Sequence, residues 1–598
     1  MRGGRDRLRR SWIGSLPALV AVTALLVVPA AGTAHLAQAE KTPTAMGKGG
    51  AAATVDVLAT NAAIEALRDG ANAVDAAVVA AGVLGVVEPF SCGIGGGGFM
   101  VIRTKNGKVT TIDHRETAPA AMRPDSFMEG GTPLAFNDAR FSGLSAGVPG
   151  TVRGWDEALD RYGTMSLREA LRPAIEIARE GFVVDQIFFN QTQQNVDFFD
   201  DIRSTRALYL DPDGTPRDIG TVFRNPDLAR TYARIGHLGA KGFYRGAVAA
   251  AMVDSVERPP LAPGANHVWR AGLMTMRDVK RYVAPERAPT RIGYRGLDVY
   301  GMGPPSSGGS TDGEALNILE GFSLNPANRT QALHLFLDAS RFSFADRNAY
   351  LADPDFFDVP LAGLLSDGYA AERRALIDPN RAAAHPAAAG NPYPYNTAGQ
   401  AAATAVTGGG TTHLTVSDRF GNVVSYTFTI ESIGGNGIVV PGWGFLLNNE
   451  LTDFNFDSPT HPNRADGGKR PRSSMSPTIV LDDGRPLLAL GSPGGSMIIT
   501  TVLQVLIDRL DLGASLPQAI VAPRASQRNT ATTVAEPAFV SSPEGQALAS
   551  VYGHAFTTSP TTEIGAVTAI EFLGRGRVLA AAEPQRRGGG SAMVEKTR

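Results

Sequence analysis

The stretch Gly408-Gly409-Gly410-Thr411-Thr412-His413-Leu414-Thr415-Val416-Ser417-Asp418-Arg419-Phe420-Gly421-Asn422-Val423-Val424-Ser425-Tyr426-Thr427-Phe428-Thr429 decides how the rest of the chain is read. Two strand-like runs, Leu414 to Asp418 and Asn422 to Thr429, are separated only by Arg419-Phe420-Gly421. A three-residue loop ending in glycine predicts a type I turn closed by a left-handed residue. Pairing Asp418 with Asn422 then sets Thr411 opposite Thr429, with both side chains on one face. Three glycines ahead of a hydroxyl residue give an easily strained backbone just before a candidate nucleophile. The Thr429 hydroxyl would orient that of Thr411. Taken alone, the same residues also read as a loop followed by ordinary strand-forming threonines.

Working outward, the 598-residue chain has 43% apolar and 19% charged residues and a formal net charge of −2. That balance is globular and gives no reason to expect nucleic acid or an acidic membrane surface as a partner. Arg2, Arg5, Arg7, Arg9 and Arg10, the apolar run Ile13 to Val28 and the small-residue site Ala37-Gln38-Ala39 predict an export signal over residues 1–39. The apolar part is short for a membrane anchor, and Arg9-Arg10-Ser11-Trp12-Ile13 loosely fits a twin-arginine signal. Cys92 is the only cysteine, so no internal disulfide and no thiolate metal cluster is possible.

Helices are predicted over Thr54 to Arg68, from Asn72 (as cap) to Val87, and over Leu167 to Arg179, Asn225 to Gly236, Asp312 to Glu320 and Ser496 to Leu510. Phe99 to Thr104 and Lys108 to His114 predict a hairpin through Asn106-Gly107. Ala383 to Thr407 reads as an exposed linker, and the tail after Pro584 as mobile. Gly93 to Gly98 fits G-x-G-x-x-G, with Asp113 at the spacing of a ribose-binding acid. Its order is helix, glycines, strand, the reverse of a dinucleotide site, so close backbone packing is expected instead.

Gly491-Ser492-Pro493-Gly494-Gly495-Ser496 has the opposite order, strand then glycines then helix, and its free amides suit a developing oxyanion. Glu450 and Asp453 can receive an ammonium group; Arg115, Ser473 and Ser474 can receive a carboxylate. Together they describe a site for a zwitterionic amino-acid headgroup beside a nucleophile, although each alone also reads as a surface pair or loop contact. The nine histidines show no close metal-ligand spacing, and His413 reads as packing.

These residues resemble the γ-glutamyltransferase (glutathione hydrolase) family of N-terminal-nucleophile hydrolases. The resemblance runs through Gly70 to Phe99, Arg115-Glu116-Thr117-Ala118-Pro119, Asp346-Arg347, Thr411-Thr412-His413, Gly444 to Asp453, Arg470 to Pro477 and Gly491 to Ser496. It implies an α+β, four-layer αββα sandwich self-cleaved between Gly410 and Thr411. Residues 40–410 and 411–598 would be large and small pieces that stay associated. It further implies Thr411 as nucleophile, Thr429 bonded to its hydroxyl, and Gly494 and Gly495 as oxyanion donors. Arg115, Ser473 and Ser474 would hold the substrate carboxylate, and Glu450 and Asp453 its ammonium. The partners implied are glutathione or other γ-glutamyl donors and amino-acid or peptide acceptors; no metal or organic cofactor is implied.

Glu431 stands where the family commonly has an ammonium-binding asparagine. Three acids around one cation should raise one another's pKa, so that one stays protonated or another headgroup is preferred. The stretch from Asp453 to Ser473 is also short for a lid, which would admit larger donors such as poly-γ-glutamate. Acylases of cephalosporin-type amides share the scaffold and are the runner-up. An unprocessed amino-acid or peptide-binding protein is the rival from another class.

Overall fold

The computed structural model describes residues 40–396 and 410–596. Residues 1–39, expected to be an export signal, Gly408, Gly409 and the 397–407 part of the expected linker lie outside the described residues. In the hairpin, strands Thr412–Ser417 and Val423–Thr429 pair antiparallel, with Thr412 opposite Phe428 and Ser417 opposite Val423. Continued by one residue, this is the register read from the sequence, with Thr411 facing Thr429. Gly421 closes the turn at φ 99°, in the left-handed region. Asp418 adds a clamp that the sequence reading missed: its Oδ1 accepts the Phe420 and Asn422 amides at 2.8 and 2.9 Å.

Alternation along the hairpin separates two chemistries. Leu414, Val416, Val424, Tyr426 and Phe428 pack in a core with helices Val57–Arg68 and Ala73–Val87. The opposite face carries Thr411, His413, Thr415, Ser425, Thr427 and Thr429. Helix Ala73–Val87 is buried along its whole length and starts with a capping box between Asn72 and Asp75. The first helix starts at Val57 rather than Thr54, because the Asp56 side chain caps it.

Among the described residues the largest sheet joins thirteen strands, and strand Thr44–Thr54 is its pivot. Its first half pairs with Arg577–Ala582 and its second half with Thr412–Ser417, the partner changing around Lys48 to Gly50. Gly49 there has φ 90°, and a side chain on Gly47 would strike the Lys596 carbonyl at 2.0 Å. Beyond the pivot the path folds back on itself. Ser425 Oγ donates to the Leu490 carbonyl at 2.9 Å and accepts the Thr478 amide at 3.1 Å. Thr415 Oγ1 likewise reaches the Thr568 carbonyl at 3.1 Å. Ile479, Leu488 and Leu490, on the half that faces the hairpin, share a second core with helices Gly308–Glu320, Arg329–Tyr350 and Met497–Leu510.

Two further expectations are corrected. The helix expected from Leu167 to Arg179 is two, Leu167–Ala170 and Arg172–Glu180, with Pro173 in the first turn of the second. The tail after Pro584 is anchored rather than mobile. Arg586 pairs with Glu536 and Glu583, and Ser591–Lys596 forms a strand against Thr44–Thr54. The glycines of Gly93 to Gly98 mediate close packing, as expected: a Cβ on Gly96 would lie 1.9 Å from the Thr429 carbonyl.

Candidate active site

Thr411, Thr429, Gly410, Arg115, Glu431, Glu450, Asp453, Ser473, Ser474 and Gly495 line one cleft. Gly494 lines the cavity of about 910 Å³ that adjoins it. All the residues singled out from the sequence therefore converge, although they come from segments more than 300 positions apart. The centre is the Gly410–Thr411 peptide. Thr411 is 5% exposed; its hydroxyl donates to the Gly410 carbonyl and lies 3.3 Å from Thr429 Oγ1. Thr429 Oγ1 donates to the same carbonyl at 2.6 Å and accepts the Glu431 amide at 2.8 Å. One carbonyl thus accepts hydrogen bonds from both the Thr411 and the Thr429 hydroxyl. Arg587, from the anchored tail, donates to the Thr411 carbonyl at 3.2 Å.

Gly494 and Gly495 adopt φ of 139° and 57°, which favours glycine at both. Their amides donate to no group among the described residues. They precede helix Met497–Leu510, whose dipole adds positive potential at that end. His413, two residues from Thr411, bonds Thr427 at 2.7 Å and Thr415 at 3.1 Å. Burial pushes its pKa down to about 3, so it is a neutral core residue.

The headgroup side is a dense ion-pair network. Arg115 is buried and binds Glu450, Asp453 Oδ2 (2.5 Å) and the carbonyls of Pro471 and Arg472 (3.1 Å each). The groups expected to receive carboxylate and ammonium thus pair with each other, which a zwitterion could replace on both sides. Free volume in the cleft is only about 30 Å³, roughly the share of one water in the liquid.

Glu431 is also in the cleft, at φ 76°, a strained value for a residue with a side chain. Its Oε2 accepts from Ser432 and Asn449, each at 2.5 Å. Burial first, and Asp453 second, raise its pKa to about 7. Burial raises Glu116 to about 8 and Glu450 well above the usual range, despite Arg115. Mutual repulsion was the expected cause; loss of water is the larger one.

Sequence reading missed Arg347, Arg472 and Ser496 in this cleft. Arg347 donates to Ser474 Oγ at 2.6 Å and Ser307 Oγ at 2.9 Å. Among the described residues no carboxylate pairs with it, and burial lowers its pKa well below the usual value. The Asp346-Arg347 pair, within a family-like stretch, was the available signal.

In the comparison with known proteins, the γ-glutamyltranspeptidase family model matches residues 59–593. The chain belongs to this family. It is an N-terminal-nucleophile-type enzyme, a γ-glutamyltranspeptidase-family proenzyme with a mixed α+β fold. The glutathione hydrolase proenzyme of Bacillus subtilis (strain 168) is 38% identical over 537 residues, covering 86% of this chain and 88% of its own. The Acylase ACY 1 proenzyme of Pseudomonas sp. (strain SE83) is 35% identical over 555 residues, 91% of this chain and 93% of its own. A crystal structure of cephalosporin acylase from Bacillus halodurans superposes with a TM-score of 0.79 at 27% identity, covering 93% of this chain and 97% of that one.

Proposed function

We propose that the protein is an exported γ-glutamyltransferase and hydrolase that cuts itself between Gly410 and Thr411 and then transfers γ-glutamyl groups through Thr411. The observation that carries this reading is the meeting of the Thr411 and Thr429 hydroxyls on the Gly410 carbonyl. Attack by Thr411 Oγ on that carbon breaks the peptide C–N bond and forms an ester, leaving the amine on Thr411. Water then cleaves the ester and frees Gly410. The new α-amine, with a pKa of about 7.7–8.0 in model peptides, can take the hydroxyl proton in the next cycle.

In turnover, Thr411 Oγ attacks the γ-carbonyl of the donor and the Gly494 and Gly495 amides receive the oxyanion. The proton passes from the α-amine to the departing amine. Water or an acceptor amine then resolves the γ-glutamyl ester. Arg115, Ser473 and Ser474, with Arg347 tied to Ser474, receive the α-carboxylate; Glu450, Asp453 and Glu431 receive the ammonium. Glutathione-type γ-glutamyl compounds fit this pair of charges. The adjoining cavity leaves room for large leaving groups or acceptors, and the fold-back of the helix-covered sheet supports a four-layer αββα arrangement. Residues 40–410 and 411–598 would remain associated, since strand Thr44–Thr54 pairs with strands beyond Thr411.

A second reading, a cephalosporin-type acylase, is favoured by the similarity to acylases and by burial, which raises the pKa of Glu450 and Glu116 beside Arg115 and so weakens an ammonium site. Turnover of a chromogenic γ-glutamyl anilide against a glutaryl-cephalosporin separates the two. Faster turnover of the anilide is expected; faster turnover of the cephalosporin would overturn the donor assignment and keep the nucleophile. A binding protein would turn over neither and remain one chain.

A further inference from the structure

Far from Thr411 in sequence, three side chains of metal-ligating type meet in the second core. His334 and Asp338 stand four residues apart on helix Arg329–Tyr350 and so share one face. His554 follows helix Pro543–Ser550. All three are buried, and one ligand atom from each lies within 4.8 Å of the others. His334 Nδ1 and His554 Nε2 are 2.9 Å apart.

The surrounding bonds fix how these atoms point. His334 Nε2 lies 2.8 Å from the Asp378 carbonyl, so it carries the proton, and its Nδ1 lone pair accepts the His554 Nε2–H; a metal would displace that proton to His554 Nδ1, which has no hydrogen-bond partner among the described residues. A backbone carbonyl on the far nitrogen is the usual way a metal-binding imidazole is oriented. Tyr552 stacks on the His334 ring at 4.6 Å. Asp338 Oδ2 accepts the Ala383 amide at 2.8 Å, while Oδ1 has no hydrogen-bond partner among the described residues. Arg341 faces Oδ1 from 3.7 Å and lowers the affinity for any cation.

We propose that His334, Asp338 and His554 form a site for a zinc-type divalent ion, with water in the fourth position. Two imidazoles and one carboxylate are the donor set such ions favour. Ligands about 2.0–2.2 Å from a tetrahedral ion lie about 3.4 Å apart, so the two nitrogens open slightly and the carboxylate closes in. His334 and Asp338 precede Thr411 and His554 follows it. If the chain is cut there, the ion ties the two pieces together; the site itself does not depend on the cut.

The test strips the full-length purified protein with chelator, reloads it with Zn²⁺ or Co²⁺ alone, and measures bound metal by mass spectrometry and Co²⁺ absorption. The expected result is one ion per chain, a visible Co²⁺ band, and a Tm that rises with zinc and falls with chelator. His554→Gln and Asp338→Asn should each lose more affinity than the roughly 10–100-fold typical of outer-shell changes. Wild-type protein that retains no metal at micromolar zinc would overturn the proposal, with no variant needed. Equal retention by wild type and both variants would overturn it as well.

Discussion

Glu431→Gln changes charge with little change in shape, and the backbone strain at φ 76° stays in place. The Glu431 pKa is raised from 4.5 to about 7 by burial and by Asp453. At about 1.4 kcal/mol per unit this corresponds to about 3 kcal/mol. The sign follows from which state holds the proton more tightly. The folded protein does, so below pH 4.5 the carboxyl adds no penalty. The penalty grows between pH 4.5 and 7 and is complete above that. Glutamine escapes it, so the variant should gain stability over wild type at pH 8 but not at pH 4.5. Donor binding should move the other way, because the ionised carboxylate is what an ammonium group needs. Loss of that charge-assisted contact, about 1.5–3 kcal/mol, should raise the donor KM about 10–100-fold at pH 8. Thermal unfolding at both pH values and anilide kinetics at pH 8 read both effects. The same Tm difference at both pH values, or an unchanged KM, would refute the reasoning.

Three further predictions are independent of that one. Thr429→Ala removes the hydroxyl that polarises the Gly410 carbonyl; it should slow self-cleavage about 10–100-fold, with Thr429→Ser restoring it, as followed by gel densitometry over time. His413→Gln keeps a donor and an acceptor for Thr427 and Thr415 but cannot be protonated. The wild-type ring, with its pKa pushed down to about 3, should lose about 1.4 kcal/mol of stability per unit as pH falls below about 6.5. The variant should show a correspondingly shallower acid-side loss of Tm. Gly97→Ala would place a Cβ 2.4 Å from the His114 carbonyl and 2.5 Å from Glu116 Oε2; overpacking costs about 1–3 kcal/mol or more, visible as a lowered Tm or insoluble protein.

The hairpin was legible because turn length and the period-two alternation fix a register without knowledge of the rest of the fold. Gly491 to Ser496 was legible because strand, glycines and helix occur in the order that chemistry requires. The pivot strand Thr44–Thr54 was not: three glycines and four alanines carry little β-propensity, and central burial alone makes it a strand. The tail misled for a similar reason, since Gly588-Gly589-Gly590 conceals a strand held by distant partners. At the site, Arg115 was identified but its pairing with Glu450 and Asp453 was not, because that contact spans 335 positions. Arg347 was quoted only as part of a family-like stretch, with no role, because its partners are two hydroxyls and the Asn348 side chain rather than an obvious acid.

The account stands or falls on the covalent state of the mature polypeptide. Intact-mass spectrometry of denatured wild-type protein, with N-terminal sequencing, should reveal a small piece beginning Thr-Thr-His at Thr411, and Thr411→Ala should yield one unbroken chain. Fully active wild type with an uncut backbone, or a Thr411→Ala protein that still divides at that bond, would contradict it.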